Sequence, residues 1–172
     1  MGGRMKATGL ALVFVVLAAC TPGAKTGPSY RDLTAPITSV ALFDPAQFAG
    51  HWEMVAAYDA ENCAFDVVAA TADRIDLAER KCSGAVTHSV ALITGPGRFT
   101  PKGGANKARE HWVMWVDQTY RTAAIGTVDG KFGMILNRNQ DIPADKLQAA
   151  REILDWNGYD LTRLVMRPKG EL

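Results

Sequence analysis

The sequence predicts an all-β domain, a sandwich or a small barrel, followed by one C-terminal α-helix. Three observations lead there. From Gly50 onward, short β-prone segments recur between turn residues. These segments number eight, about what closes a small barrel with room for one ligand. Across Pro143 to Asn157 the apolar period then changes from two to that of a helix.

The 172 residues, 48% hydrophobic, suit one domain with an ordinary core. Lys plus Arg number 19 and Asp plus Glu 18. So balanced a charge offers no field for nucleic acid, and no such partner is expected.

Residues 1–19 read as an export signal. Arg4 and Lys6 form a positive start, Leu10 to Leu17 an apolar stretch, and small residues follow. The stretch is too short for a stable membrane span. Leu17-Ala18-Ala19-Cys20 resembles the bacterial lipoprotein box, which implies cleavage before Cys20 and acylation of its sulfur and new amino group with palmitate-type chains. The alternative is an ordinary signal cut near Ala19. Thr21, not Asp, follows the cysteine, which resembles outer-membrane sorting and a periplasm-facing domain. Residues 20–42 are rich in Pro, Gly, Thr, Ser and Ala and read as a flexible lipidated tether, with Val40, Leu42 and Phe43 docking at its end.

The domain begins at residue 43. Pro45 opens a helical turn, Phe48 is an apolar plug, and Gly50 turns the chain into strand one, Trp52 to Tyr58. A Gly-x-Trp at that point is a way to close one end of a small barrel. Strands two and three are Cys63 to Thr71 and Arg74 to Cys82, joined by Ala72-Asp73. Val86 to Thr94 and Arg98 to Thr100 follow, split by Gly95-Pro96-Gly97. His111 to Asp117, Tyr120 to Thr127 and Phe132 to Asn137 complete the eight, and Asp129-Gly130 is a hairpin signal between the last two. The helix carries Leu147, Ala150, Ile153 and Leu154 on one face, with Asp141 as candidate N-cap and Gly158 as the residue just past its end. Such a single stripe fits a helix packed on the outside of a barrel. Leu164-Val165-Met166 adds a short final strand.

With Cys20 assigned to lipid, Cys63 and Cys82 remain. In an exported protein two such thiols suggest a disulfide, and a hairpin of strands two and three would bring them together. Two free buried thiols or a metal pair are the alternatives, and two Cys without clustered His make a poor zinc site. The loop at Pro101 to Asn106 lacks a phosphate-loop ending. His51, His88 and His111 are scattered, no Gly-x-Ser-x-Gly occurs, and the carboxylates sit mainly at turns and strand ends. No catalytic, metal or cofactor site is expected.

Phe48-Ala49-Gly50-His51-Trp52-Glu53-Met54, Asp117-Gln118-Thr119-Tyr120-Arg121-Thr122 and Met134-Ile135-Leu136-Asn137-Arg138 resemble, in order, the three motifs of the lipocalins. The tail from Ala149 to Val165 resembles the bacterial outer-membrane lipoprotein lipocalins of Blc type, related to apolipoprotein D. The resemblance spans residues 43 to 167 and implies an eight-stranded antiparallel up-and-down β-barrel. It implies that Arg138 covers Trp52 beside Gly50 and closes one end. It implies a small hydrophobic ligand, a fatty acid or lysophospholipid, bound for storage, transport or envelope maintenance. His51 and Met54 depart from the family's usual residues, and Cys82 to Arg109 is short and Gly-rich where the family has more aromatic strands.

Alternation from an inward Trp52 puts Met54, Ala56 and Tyr58 inside. The matching sets are Trp112, Met114 and Val116, then Tyr120, Thr122 and Ala124, then Phe132, Met134 and Leu136. The expected ligand lining is thus Met54, Tyr58, Trp112, Met114, Tyr120, Phe132 and Met134, with Tyr58, Arg98 or Lys102 as a polar anchor. A packed barrel is the alternative. A monomer or weak dimer is expected. The rival function is a small-barrel periplasmic protease-inhibitor lipoprotein, which also has a Gly-x-Trp-like start and an early disulfide but lacks the long helix. An isomerising or de-epoxidising enzyme is a weaker third reading without residue support.

Overall fold

Asp44 opens the barrel domain by capping a helical turn, α1 (Pro45–Phe48), its carboxylate accepting from the backbone of Ala46 and Gln47. The structure is a computed structural model and describes residues 1–3, 29–58, 62–104, 107–168 and 170. The export signal and Cys20 therefore lie outside the described residues, apart from residues 1–3.

Beyond α1 run β1 (Gly50–Ala57), β2 (Asn62–Ala70), β3 (Arg74–Lys81), β4 (Val86–Gly95) and β5 (Arg98–Pro101). Then come β6 (His111–Val116), β7 (Thr122–Thr127), β8 (Gly133–Asn137), α2 (Ala144–Trp156) and β9 (Val165–Met166). Neighbours in sequence pair antiparallel from β1 to β8, and β8 pairs back on β1, so the sheet closes as an up-and-down barrel. The seam is uneven. β1 pairs with β2 over Gly50–Glu53, whereas at Ala56 and Ala57 it pairs with β9. Cys63 and Cys82 are joined in a disulfide where β2 begins and β3 ends.

Two apolar layers result. Inside the barrel lie Phe48, Trp52, Met54, Phe65, Leu77, Phe99, Val113, Ile125, Phe132, Met134 and Leu136. Between the barrel wall and α2 lie Val55, Tyr58, Met114, Ala124, Ile135, Ala150, Leu154 and Tyr159. The helix packs over β6, β7 and β8, so these strands are apolar on both faces. Pro143 stands at the helix N-cap without a side-chain bond; Asp141 does not cap it. At the other end Gly158 takes φ +85°, as a residue after a helix end often does.

Residues 29–43 form a strap along the outside of the barrel, not the free tether expected up to residue 42. Tyr30 N donates to Gly130 O, and Val40 N donates to Val113 O. Arg31 is buried and donates from all three guanidinium nitrogens, to the carbonyls of Asn157, Val128 and Ala35. Leu42 does not dock and is 91% exposed.

Candidate ligand site

One end of the barrel is a floor. Gly50 has φ +105°, and a Cβ there would stand 3.1 Å from Arg138 Nη1, so both backbone and space call for glycine. Arg138 lies over the Trp52 indole, its Cζ 3.7 Å from the ring centroid. Its three nitrogens donate to the carbonyls of Tyr120, His51 and Gln47. Trp52 donates to Phe48 O, and Phe48 stacks on it at 4.8 Å. Asp117 holds the adjoining turn by accepting from Thr119, Arg121 and Thr122. Burial raises the Asp117 pKa, but these bonds outweigh it and hold the carboxyl below its ordinary value.

The opposite end is the mouth, ringed by the β3–β4 turn, the β5–β6 loop and the β7–β8 turn. Its crevice leads inward past Asn62, Glu79, Pro101 and His111 to Phe65, Leu77, Phe99, Met54, Phe132 and Met134. The free space is only about 20 Å³, room for little more than one water. The apolar interior is packed, and a ligand must displace side chains to enter.

Of the polar groups at this crevice, Asn62, Glu79 and His111, the histidine is the fully buried one. Its ring stacks on Phe99 at 5.2 Å and meets the edge-on ring of Phe132 at 4.9 Å. Its Nδ1 lies 2.9 Å from Arg109 O, so Nδ1 carries the proton and donates. Burial pushes its pKa down to about 4, leaving a neutral imidazole at neutral pH. In the sequence His111 is one of three scattered histidines, and only the parity of β6 marks it as inward.

The structure divides the expected lining. Met54, Phe132 and Met134 point into the barrel. Tyr58 does not, because a bulge between Met54 and Ala56 flips the parity of β1. Tyr58 packs at a tilt on Tyr30 and Tyr159 under the strap, its hydroxyl buried without a partner among the described residues. Trp112 and Met114 also face outward, toward α2, while His111 and Val113 face inward. A second bulge, between Val113 and Trp115, returns Val116 to the interior side. In β7 it is Ala123 and Ile125, not Thr122 and Ala124, that face in. Tyr120 belongs to the floor, where its hydroxyl accepts from Asp44 N and its ring sits 6.3 Å from Phe43. Of the suggested polar anchors, Arg98 lies 5.0 Å over Trp112 on the outside, and Lys102 is an exposed residue at the mouth.

Two concavities lie outside the barrel. A cleft of about 230 Å³ sits between β1, β9 and the start of α2, with Val55, Ile142, Leu147, Met166 and Arg167 in its wall. A shallow one of about 870 Å³ borders Leu42, Phe43, Ile93 and Tyr120 at the floor end. His51 is on the outer face, between Asp66 at 2.6 Å and Glu53 at 2.8 Å, and His88 is exposed on β4. Among the described residues no three His, Cys, Asp or Glu side chains are grouped to hold a metal ion.

The same architecture occurs in solved structures. H1 crustacyanin from the lobster Homarus americanus superposes with a TM-score of 0.60 at 13% identity, over 84% of this chain and 90% of that one. Lobster apocrustacyanin A1 gives 0.57 at 14% identity, over 72% and 78%. The amine binding protein of Rhodnius prolixus, solved as a tryptamine complex, gives 0.50 at 12% identity, over 77% and 84%. No curated protein sequence matches the chain. A family model does, that of the lipocalin-like domain, over residues 96–169. The chain thus has the lipocalin fold, and its stretch from the β4–β5 turn to just past β9 matches the lipocalin-like domain in sequence as well.

Proposed function

We propose that this protein is a lipid-anchored carrier at the bacterial outer membrane, facing the periplasm, that takes a fatty acid or lysophospholipid into its barrel. One observation carries the reading. The interior between the Trp52–Arg138 floor and the mouth is lined by apolar groups, two of them the flexible thioethers Met54 and Met134. Thioether side chains repack at low cost, so a thin acyl chain can take their place. The lipocalin fold supports the reading, as does the tryptamine complex of the Rhodnius amine binding protein, a small-ligand complex on a similar barrel. Cys20 in its lipoprotein box supports the anchor. Glu79 and His111 are the ionisable groups at the crevice, and the function read here is binding.

The packed interior favours one second reading, a filled barrel that inhibits a protease through its tether, because about 20 Å³ holds no ligand as it stands. Native mass spectrometry of the delipidated full chain, offered palmitate and lysophosphatidylethanolamine, separates the two. The carrier reading expects a one-to-one adduct and loss of it on filling the crevice with Leu77→Trp. Absence of any adduct, with inhibition of a periplasmic protease, overturns the carrier reading.

A further inference from the structure

We infer that the barrel mouth itself docks on the lipid bilayer, with Val128, Leu33 and Trp156 as the inserting side chains. The inference rests on the anchor reading of Cys20 and goes beyond it by assigning an orientation and a contact surface.

Tyr30 N donates to Gly130 O, at the tip of the β7–β8 turn. Tyr30 is pinned there by its 5.1 Å stack on Tyr58 and by the Arg163 guanidinium 4.3 Å over its ring. The strap therefore starts at the rim of the mouth, two residues along the chain from the crevice residue Phe132. Nine steps of chain separate Cys20 from Ser29. Fully extended they span roughly 30 Å, and as a flexible coil about 17 Å. The floor lies about 20 Å farther away, the length of a six-residue strand such as β7. Mouth toward the lipid, the tether is relaxed. Floor toward the lipid, it must also cover the extra 20 Å or so, more than its coil dimension and about two-thirds of its full extension.

Exposed apolar side chains lie around that exit point. Val128, Leu33 and Trp156 are 47%, 60% and 67% exposed. Their segments are tied into one surface by Arg31 Nη1 to Val128 O at 2.9 Å, Arg31 Nε to Asn157 O at 2.9 Å and Asp32 N to Gly158 O at 2.8 Å. Trp156 stands in the last turn of a helix whose apolar stripe is otherwise used against the barrel. An exposed tryptophan on a surface that also carries exposed Val128 and Leu33 suits the boundary between headgroups and acyl chains. Such a patch is too small to hold a free protein on a membrane. Tethered by acyl chains it binds from an effectively high local concentration, so weak insertion suffices. In this pose the crevice faces the bilayer, and an acyl ligand passes between membrane and barrel without crossing bulk water.

The test uses the full chain, expressed with its acyl modification and reconstituted in phosphatidylethanolamine–phosphatidylglycerol vesicles. With Cys20 acylated and Cys63 bonded to Cys82, one new thiol takes a polarity-sensitive dye. Val128→Cys at the mouth is compared with Ala72→Cys at the floor, and Trp156 fluorescence is read against brominated lipid with Trp156→Phe as blank. The expected result is a blue shift at position 128, none at 72, and loss of about half of the Trp156 signal to bromine. A shift at 72 instead, or at neither site, in protein that co-floats with vesicles overturns the docking while leaving the anchor intact. Protein recovered without acyl groups on Cys20 overturns the anchor reading and the docking with it.

Discussion

Arg138 and Trp52, 86 positions apart in the chain, form one closing unit in which each of the three guanidinium nitrogens donates to a different carbonyl while the plane covers the indole. A lysine retains the charge but has neither the plane nor the fork of donors. Arg138→Lys should lower stability by about 2 kcal/mol, read as a shifted urea midpoint with an unchanged slope. A change within a few tenths of a kcal/mol would show that Phe48 packing on Trp52 closes the floor unaided.

Tyr58 and Tyr159 stack at 5.3 Å, yet only one has its hydroxyl satisfied. Tyr159 accepts from Thr127 N and donates to Phe132 O, bracing β7 against β8. It lies close on the sheet because Gly126 and Gly133 have no side chain to meet its ring. The Tyr58 hydroxyl is buried with no partner among the described residues, and burial holds its pKa well above the phenol range. The two Phe substitutions should therefore have opposite signs. Tyr159→Phe should cost about 2 kcal/mol, and Tyr58→Phe should be neutral or stabilise by about 1 kcal/mol. Thermal melts of both variants check this, and a destabilised Tyr58→Phe would contradict the orphaned state of its hydroxyl.

The fold was legible because turn residues and strand count are local signals, and because Gly50, Trp52 and Arg138 form a pattern tied to one geometry. The hairpin likewise brought Cys63 and Cys82 to one point. The lining was only partly legible. In β8 alternation held, so Phe132 and Met134 fell inside. In β1 one bulge after Met54 moved Tyr58 to the outer layer, and nothing in Val55-Ala56-Ala57 marks a bulge. In β6 both faces are apolar because α2 covers the outer one, so Trp112 and Met114 looked as inward as His111 and Val113 are. The strap was read as tether because its polar composition hides Arg31, whose burial depends on carbonyls from distant elements.

The histidines give the protein two opposite pH dependences. His51 faces a carboxylate from each ring nitrogen. Partial burial lowers its pKa, but the hydrogen bonds to Glu53 and Asp66 prevail and raise it. A raised folded pKa means the stabilisation is complete below about pH 6.5, the unfolded value, and is lost as pH rises through the folded one. His51 is partly exposed, so the loss should stay under about 1 kcal/mol and vanish in His51→Gln. His111 has the reverse sign. Burial lowers its pKa to about 4, so the unfolded chain binds the proton first as pH falls. Stability should drop by about 3 kcal/mol between pH 6.5 and 4, and His111→Phe should remove most of that slope. Urea titrations of wild type and both variants across pH 4 to 9 measure both effects. A slope from pH 6.5 to 4 that survives in His111→Phe would place the acid sensitivity elsewhere.

Met54 and Met134 decide whether the barrel can open for a ligand. Both lie inside, at 4% exposure, and border the same crevice of about 20 Å³. Truncating either to Ala should cost about 2–4 kcal/mol, since the packed wall relaxes only partly around the new space. If these side chains are what an acyl chain displaces, the same truncations remove a cost of entry, and a preformed apolar cavity binds more tightly than one that must be made. Met54→Ala and Met134→Ala should then each tighten palmitate binding severalfold while lowering the melting temperature. Truncating the outward-facing Met114 should destabilise the helix contact without changing affinity. Isothermal titration paired with melts resolves the three variants. Equal affinities in all of them would mean that ligand does not pass between the methionines.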